Sequence, residues 1–261
     1  MRVYILTDLE GVSGITLWRQ CNPALDAEAY EVSRRLLMGD VNAAVDGCYD
    51  GGATEVVVLD GHGCPFNMVP DLMHPGAEYL CGRGFPPGWD MDRGFDLGMQ
   101  VGAHAMNRTK DGCLCHTQNH TTDARYWYNG REMGELGQGA IEMAHFGFPC
   151  VFVSGDVAAC REATEFFGEH CVTVAVKQGL GRQCARLMAP EKTRELIRAG
   201  ACEAMKRGQL VPLFTVEFPA QARLEALVEP APDEWTWEQI EAAEHRVHEG
   251  VCETALNIYG F

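Results

Sequence analysis

Asp8 and Glu10 close the apolar run Val3-Tyr4-Ile5-Leu6-Thr7 and are followed by Gly11 and Gly14. Such a run reads as a buried strand, and residues two apart on an extended backbone point to the same side. The spacing therefore predicts converging carboxylates, which repel unless a cation lies between them, and a metal ion is the natural partner. Carboxylates after a first strand also cap helices, bind Mg-phosphate groups or face water, so the stretch gains force only from company elsewhere. His62 supplies it in Leu59-Asp60-Gly61-His62-Gly63, a repeat of the form Thr7-Asp8-Leu9-Glu10-Gly11. His104 follows a third apolar run, Leu97 to Ala103, and Glu135 stands at a predicted helix start, where a carboxylate is also favoured by the helix dipole alone. Oxygen and nitrogen ligands without thiolate suit zinc, and less selectively manganese, cobalt or iron. Five side chains are many for one tetrahedral ion. Three carboxylates balance the charge of two divalent cations better than that of one, particularly if Asp8 is shared and each ion keeps a position for water or substrate.

The elements that must position these residues follow from periodicity. Residues 24 to 50 predict a helix, with Leu37, Val41, Ala44, Val45 and Cys48 on one face and Gly51-Gly52 as its stop. The β-branched run Glu55 to Leu59 makes the opening a βαβ unit, and in an open parallel sheet the ends of successive strands share one edge, where sites form. Residues 64 to 95 read as loops with a short strand near Glu78 to Cys81. Tyr126-Trp127-Tyr128-Asn129-Gly130 is a hairpin signal, because Asn-Gly fits a type I′ turn, and Leu136, Ala140, Met143 and Ala144 then keep a helical period. Strands are predicted at Cys150 to Ser154, Val172 to Val176 and Phe214 to Phe218, with helices to about Glu169 and from Pro190 to Lys206. The tail, with Trp235, Trp237 and Tyr259, reads as helices and an aromatic cluster. The expected fold is α/β, a mainly parallel central sheet flanked by helices, as one domain over residues 1–261 with a smaller C-terminal portion from about 180.

The 261 residues carry 46% hydrophobic side chains, enough for a full core, and a formal charge of −16, which argues against nucleic acid and anionic membranes as partners. No apolar run approaches the length of a membrane span and no leader pattern opens the chain, so a cytoplasmic location is expected. The 12 cysteines include no C-x-x-C pair and lie largely in apolar segments, which predicts reduced, buried thiols. Cys113 and Cys115 are read as packing residues on one face of a strand, and His74 as a surface histidine.

Asp8-x-Glu10-Gly11, Asp60-x-His62, Gly102-Ala103-His104-Ala105, His116-Thr117 and Asn129-Gly130-x-x-x-Gly134-Glu135, in this order, resemble the motifs of the DppA-type D-aminopeptidases, the zinc peptidases of family M55. The resemblance runs to about residue 200, including Gly155-Asp156 and Val176-Lys177-Gln178, and is weak in the tail. It implies that Asp8, Glu10, His62, His104 and Glu135 bind two zinc ions with the aspartate shared, and that His116 is the catalytic residue. It further implies release of an N-terminal D-amino acid from short peptides such as D-alanyl-D-alanine, and a homo-oligomer of ten subunits enclosing a channel. Manganese or cobalt remain alternatives as the metals. His116 is open to three roles: nucleophile, acid-base group or donor to an oxyanion. Lys177 is read either as an anchor for a substrate carboxylate or as a solvated strand-end lysine, Asp60 as a group that orients a ligand, and His120 as a residue of the site or of the adjoining loop. Two other readings stand beside the peptidase: another two-metal hydrolase, such as an amidase or phosphoesterase, and a metal- or ligand-binding module without turnover.

Overall fold

The computed structural model describes residues 1–64 and 66–261. Its first layer is a seven-stranded sheet in the order β3-β2-β1-β4-β7-β8-β9, made by β1 (Arg2–Thr7), β2 (Glu55–Asp60), β3 (Ala77–Leu80), β4 (Leu97–Ala103), β7 (Cys150–Asp156), β8 (Val172–Gly181) and β9 (Cys184–Leu187). All neighbours pair in parallel except β8 and β9. The central strands are apolar and almost wholly buried, as a sheet covered on both faces requires. The covering helices are α1 (Ala27–Asp50), α2 (Glu135–His145), α3 (Val157–Phe167) and α4 (Pro190–Arg207). Asp26 caps α1 by accepting from Ala29 N, and the buried face of that helix carries the predicted stripe Leu37, Val41, Ala44, Val45 and Cys48.

A second, antiparallel sheet runs β11-β10-β5-β6, from β5 (Arg125–Tyr128), β6 (Arg131–Met133), β10 (Ala220–Leu227) and β11 (His245–Cys252). The Asn-Gly hairpin is present, and Asn129 and Gly130 both have positive φ, as a type I′ turn demands. Here the structure corrects two expectations. Phe214 to Phe218 is not a strand: Phe214 stacks on Phe166 at 5.1 Å, and the last strands lie at 220–227 and 245–252. The regular structure of the tail is accordingly mainly sheet, with one short α-helix, α5 (Trp237–Ala242).

Strand order explains where a site can form. The chain steps from β1 outward through β2 to β3, then returns to the other side of β1 with β4 and continues through β7 to β8. The direction reverses between β1 and β4, and the crevice beyond the carboxyl ends of that pair is where open α/β sheets bind ligands. Two glycines let the strand-end loops close on each other. A Cβ on Gly11 would lie 1.9 Å from Ala103 O, and one on Gly102, at φ +78°, would lie 2.2 Å from Asp8 O. All twelve cysteines are free; Cys113 and Cys115 are buried in a turn rather than on a strand, and Cys184, at the start of β9, is exposed.

Candidate metal centre

Asp8 and Glu10 lie beyond the end of β1 in a turn, where Leu9 N donates to Asp8 Oδ1 and Val12 N to Leu9 O. Their convergence therefore comes from a turn rather than from two-residue alternation along a strand. His62 follows β2, His104 follows β4, and Glu135 is the first residue of α2. All five meet in one place, with Asp8 between two groups. Its Oδ1 lies 3.1 Å from His62 Nδ1, which is also 3.1 Å from Glu10 Oε2. Its Oδ2 lies 3.1 Å from His104 Nε2, which is 3.5 Å from Glu135 Oε1.

Each imidazole is tied by its other nitrogen to a backbone carbonyl: His62 Nε2 to Cys21 O at 2.9 Å, His104 Nδ1 to Ala105 O at 2.9 Å, and His116 Nδ1 to Leu114 O at 3.0 Å. A carbonyl only accepts, so those nitrogens carry the protons and the opposite nitrogens turn lone pairs toward carboxylate oxygens. Lone pair facing carboxylate is repulsive unless a cation, a proton or a metal ion, lies between them. In line with this, Glu10 Oε2 and His104 Nε2 are buried without a well-formed hydrogen bond. The residues present thus fit divalent ions of the zinc type, with each imidazole oriented by a carbonyl behind it.

The electrostatics of the bare protein express the same frustration. Burial opposes charge on His62 and His104, but Glu10 and Asp8 around the first, and Asp8 and Glu135 around the second, raise both pKa values well above the usual imidazole range. Burial likewise works against Asp8 and Glu135, but His104 and His62 hold the first carboxyl low and His104 and His116 the second. His116 differs. Its pKa is lowered, first by burial and then by the charge of His104, on which it stacks at 4.0 Å. Its Nε2 is 3.8 Å from Glu135 Oε1, and donor atoms of His104, His116 and Glu135 also cluster closely enough to hold an ion.

These groups open into a cleft of about 360 Å³, whose far wall is formed by Trp18, His116 and the loop from Gln118 to Thr121. His120 lines this cleft. Gln118, at φ +67°, donates its backbone N–H to Glu135 Oε1 at 2.6 Å and its side chain to Gln138, which donates in turn to Tyr128 Oη. Nothing in the sequence marked Gln118, because its contribution is made by the backbone. Asp60 acts at one remove: it accepts twice from Asn67, whose Nδ2 also donates to the carbonyls of His62 and Cys64 and so fixes the loop.

Lys177 is neither a substrate anchor nor solvated. Fully buried, its Nζ donates to the carbonyls of Glu10, Val12 at 3.1 Å and Ile15 at 2.6 Å, clamping the loop that carries Glu10. All three ammonium protons are thereby used.

The model of the M55 peptidases, described as D-aminopeptidase, matches residues 1–260. A curated D-aminopeptidase of Bacillus subtilis (strain 168) is 28% identical over 231 residues, which is 84% of this chain and 81% of that relative. The chain also shares its fold with the solved Zn-dependent D-aminopeptidase DppA from Bacillus subtilis, described as a self-compartmentalizing protease. The TM-score is 0.82 at 23% identity, covering 99% of this chain and 94% of that one.

Proposed function

This chain belongs to the M55 family of D-aminopeptidases, and on that premise we propose that it releases the N-terminal D-residue of short peptides, D-alanyl-D-alanine being the type of substrate. The whole of residues 1–261 serves as one metallopeptidase domain. Asp8, Glu10 and His62 would hold one divalent ion and Asp8, His104 and Glu135 a second, with zinc first and manganese or cobalt as alternatives. The observation that carries this is the division of Asp8, whose two oxygens face two different imidazole-carboxylate groups. Bound there, the ions would polarise the scissile carbonyl and lower the pKa of the attacking water.

The protein's own residues supply the rest. Burial disfavours the charged form of His116, and with Nδ1–H donated to Leu114 O its Nε2 is a proton acceptor. It takes the proton of the attacking water at Nε2 and returns it to the leaving nitrogen; the tautomer removes the oxyanion-donor role, since Nε2 carries no proton to give. Gln118 N–H holds Glu135, and Lys177 holds the Glu10 loop, so both acidic ligands keep their places when substrate enters. The cleft volume is at the small end for ligand sites, which suits di- and tripeptides.

The DppA structure's description as self-compartmentalizing supports a homo-oligomer here, of ten subunits by the family pattern. We place the protein in the cytoplasm; among the described residues no helix is long and apolar enough to cross a membrane. The deciding experiment is hydrolysis of D-alanyl-D-alanine and its L,L counterpart by metal-stripped protein, before and after adding zinc, with bound metal counted. D-selective, zinc-restored cleavage with two ions per chain is expected. Absence of bound metal would overturn the reading at its first step.

A further inference from the structure

The wall of the cleft opposite the carboxylates carries a second imidazole that the proposed mechanism leaves unused. His120 stacks on Trp18 with ring centroids 4.2 Å apart and planes inclined by 16°, and its Nε2 lies 3.2 Å from Asp233 Oδ1. Asp233 comes from the C-terminal segment and is itself fixed. Gln183 Nε2 donates to its carbonyl at 3.2 Å, and Arg182, which also donates to Trp235 O at 2.8 Å, anchors the same turn. The ring is thus held in plane by one partner and in rotation by another. An ionised carboxylate only accepts, so the proton of His120 sits on Nε2 and Nδ1 keeps its lone pair. Among the described residues no group donates to that Nδ1, and the side chain lines the cleft.

Resting on the aminopeptidase reading, we infer that His120 is a substrate-binding residue whose Nδ1 accepts a hydrogen bond from the scissile peptide N–H, with Asp233 as its positioning residue. A dipeptide offers two kinds of N–H. The terminal amine has a lone pair to offer the wall that would hold the ions, and the peptide N–H, which has none to spare, is the donor left for a neutral acceptor on the opposite wall. Recognition of this N–H separates amides from esters of the same shape, since an ester presents an oxygen lone pair there and no donor. The site is therefore tuned to peptides.

The experiment compares kcat/KM on D-alanyl-D-alanine and on the depsipeptide D-alanyl-D-lactate, in which the scissile N–H is replaced by oxygen, for zinc-loaded wild type, His120→Ala and Asp233→Ala. Losing one buried hydrogen bond lowers kcat/KM by about 10- to 100-fold. We expect this loss on the amide for His120→Ala and a smaller one for Asp233→Ala, with the ester within about twofold of wild type in both. If the ester resists turnover, its competitive inhibition constant reads the same difference. Equal losses on amide and ester, or none on either, would overturn the inference. Failure of wild type to cleave D-alanyl-D-alanine defeats the aminopeptidase reading itself and takes this inference with it, an outcome told apart by the wild-type arm alone.

Discussion

The two walls of the cleft are built by different physics. The first wall hangs from the ends of β1, β2 and β4, where the reversal of strand order puts Asp8, Glu10, His62 and His104 together and backbone carbonyls orient the rings. The second wall, His116 to Thr121 with Trp18, has no strand of its own and is propped by side chains from the tail, α2 and the second sheet, through Asp233, Gln138 and Tyr128. The first wall concentrates negative charge that needs cations. The second offers neutral groups, which on the proposed reading would face the substrate. Charge is placed by the sheet, and the neutral wall by the loops laid over it.

The strongest test of that division removes Asp8, the residue common to both halves of the first wall. Asp8→Ala is expected to abolish metal binding at both positions and lower turnover by roughly 1000-fold or more; retention of two ions per chain would show that the wall does not depend on its shared carboxylate. Next in size, Lys177→Met removes a buried donor from three carbonyls of the Glu10 loop, leaving those of Glu10 and Ile15 without one and that of Val12 with only Ile15 N, and should destabilise the fold by about 3 kcal/mol, read as a fall in the urea midpoint at constant slope. A change below about 0.5 kcal/mol would show that the clamp is dispensable.

Glu142 sharpens the comparison from outside the cleft. Burial raises its pKa to about 8, against a hydrogen bond from Tyr259 that lowers it, and one of its oxygens has no partner. With the folded pKa above the unfolded one, the neutral form supports the fold fully below the ordinary carboxyl range, and that support is lost as pH rises toward 8. Glu142→Gln should flatten this decline and gain about 2 kcal/mol at pH 8, measured by denaturation at pH 5 and pH 8. Unchanged pH dependence would assign the decline to other groups. The smallest effect falls one layer behind the first wall. Asn67→Ala loosens the His62 loop and should weaken metal affinity about 10-fold with little loss of fold, measured by competition with a chelator, whereas wild-type affinity would show that Asp60 and Asn67 serve packing alone.

The first wall was legible in the sequence because a βα unit leaves its strand-end residues on one edge whatever the remaining loops do. Even there the stated reason for Asp8 and Glu10 differed from the outcome, a turn replacing strand alternation. In the second sheet the Asn-Gly hairpin was legible but its C-terminal half was not, because β11 is exposed along most of its length and shows no apolar alternation, while the run Phe214 to Phe218 carried the composition of a strand and Phe214 packs on Phe166 and Phe167. Lys177 was misread because a lysine at a strand end is ordinarily solvated, and the carbonyls that bury this one come from a loop more than 160 residues earlier. The pairing of His120 with Asp233 spans 113 residues and likewise leaves no local pattern.

The disposition of the thiols has a practical consequence. Burial pushes Cys48, Cys115, Cys150 and Cys160 up to about 12, so at neutral pH they are protonated as well as enclosed, and Cys184 on β9 is the exposed one. A maleimide dye added briefly to the wild-type protein should therefore attach first at the margin of the central sheet, giving a fluorescent reporter of subunit assembly without mutagenesis.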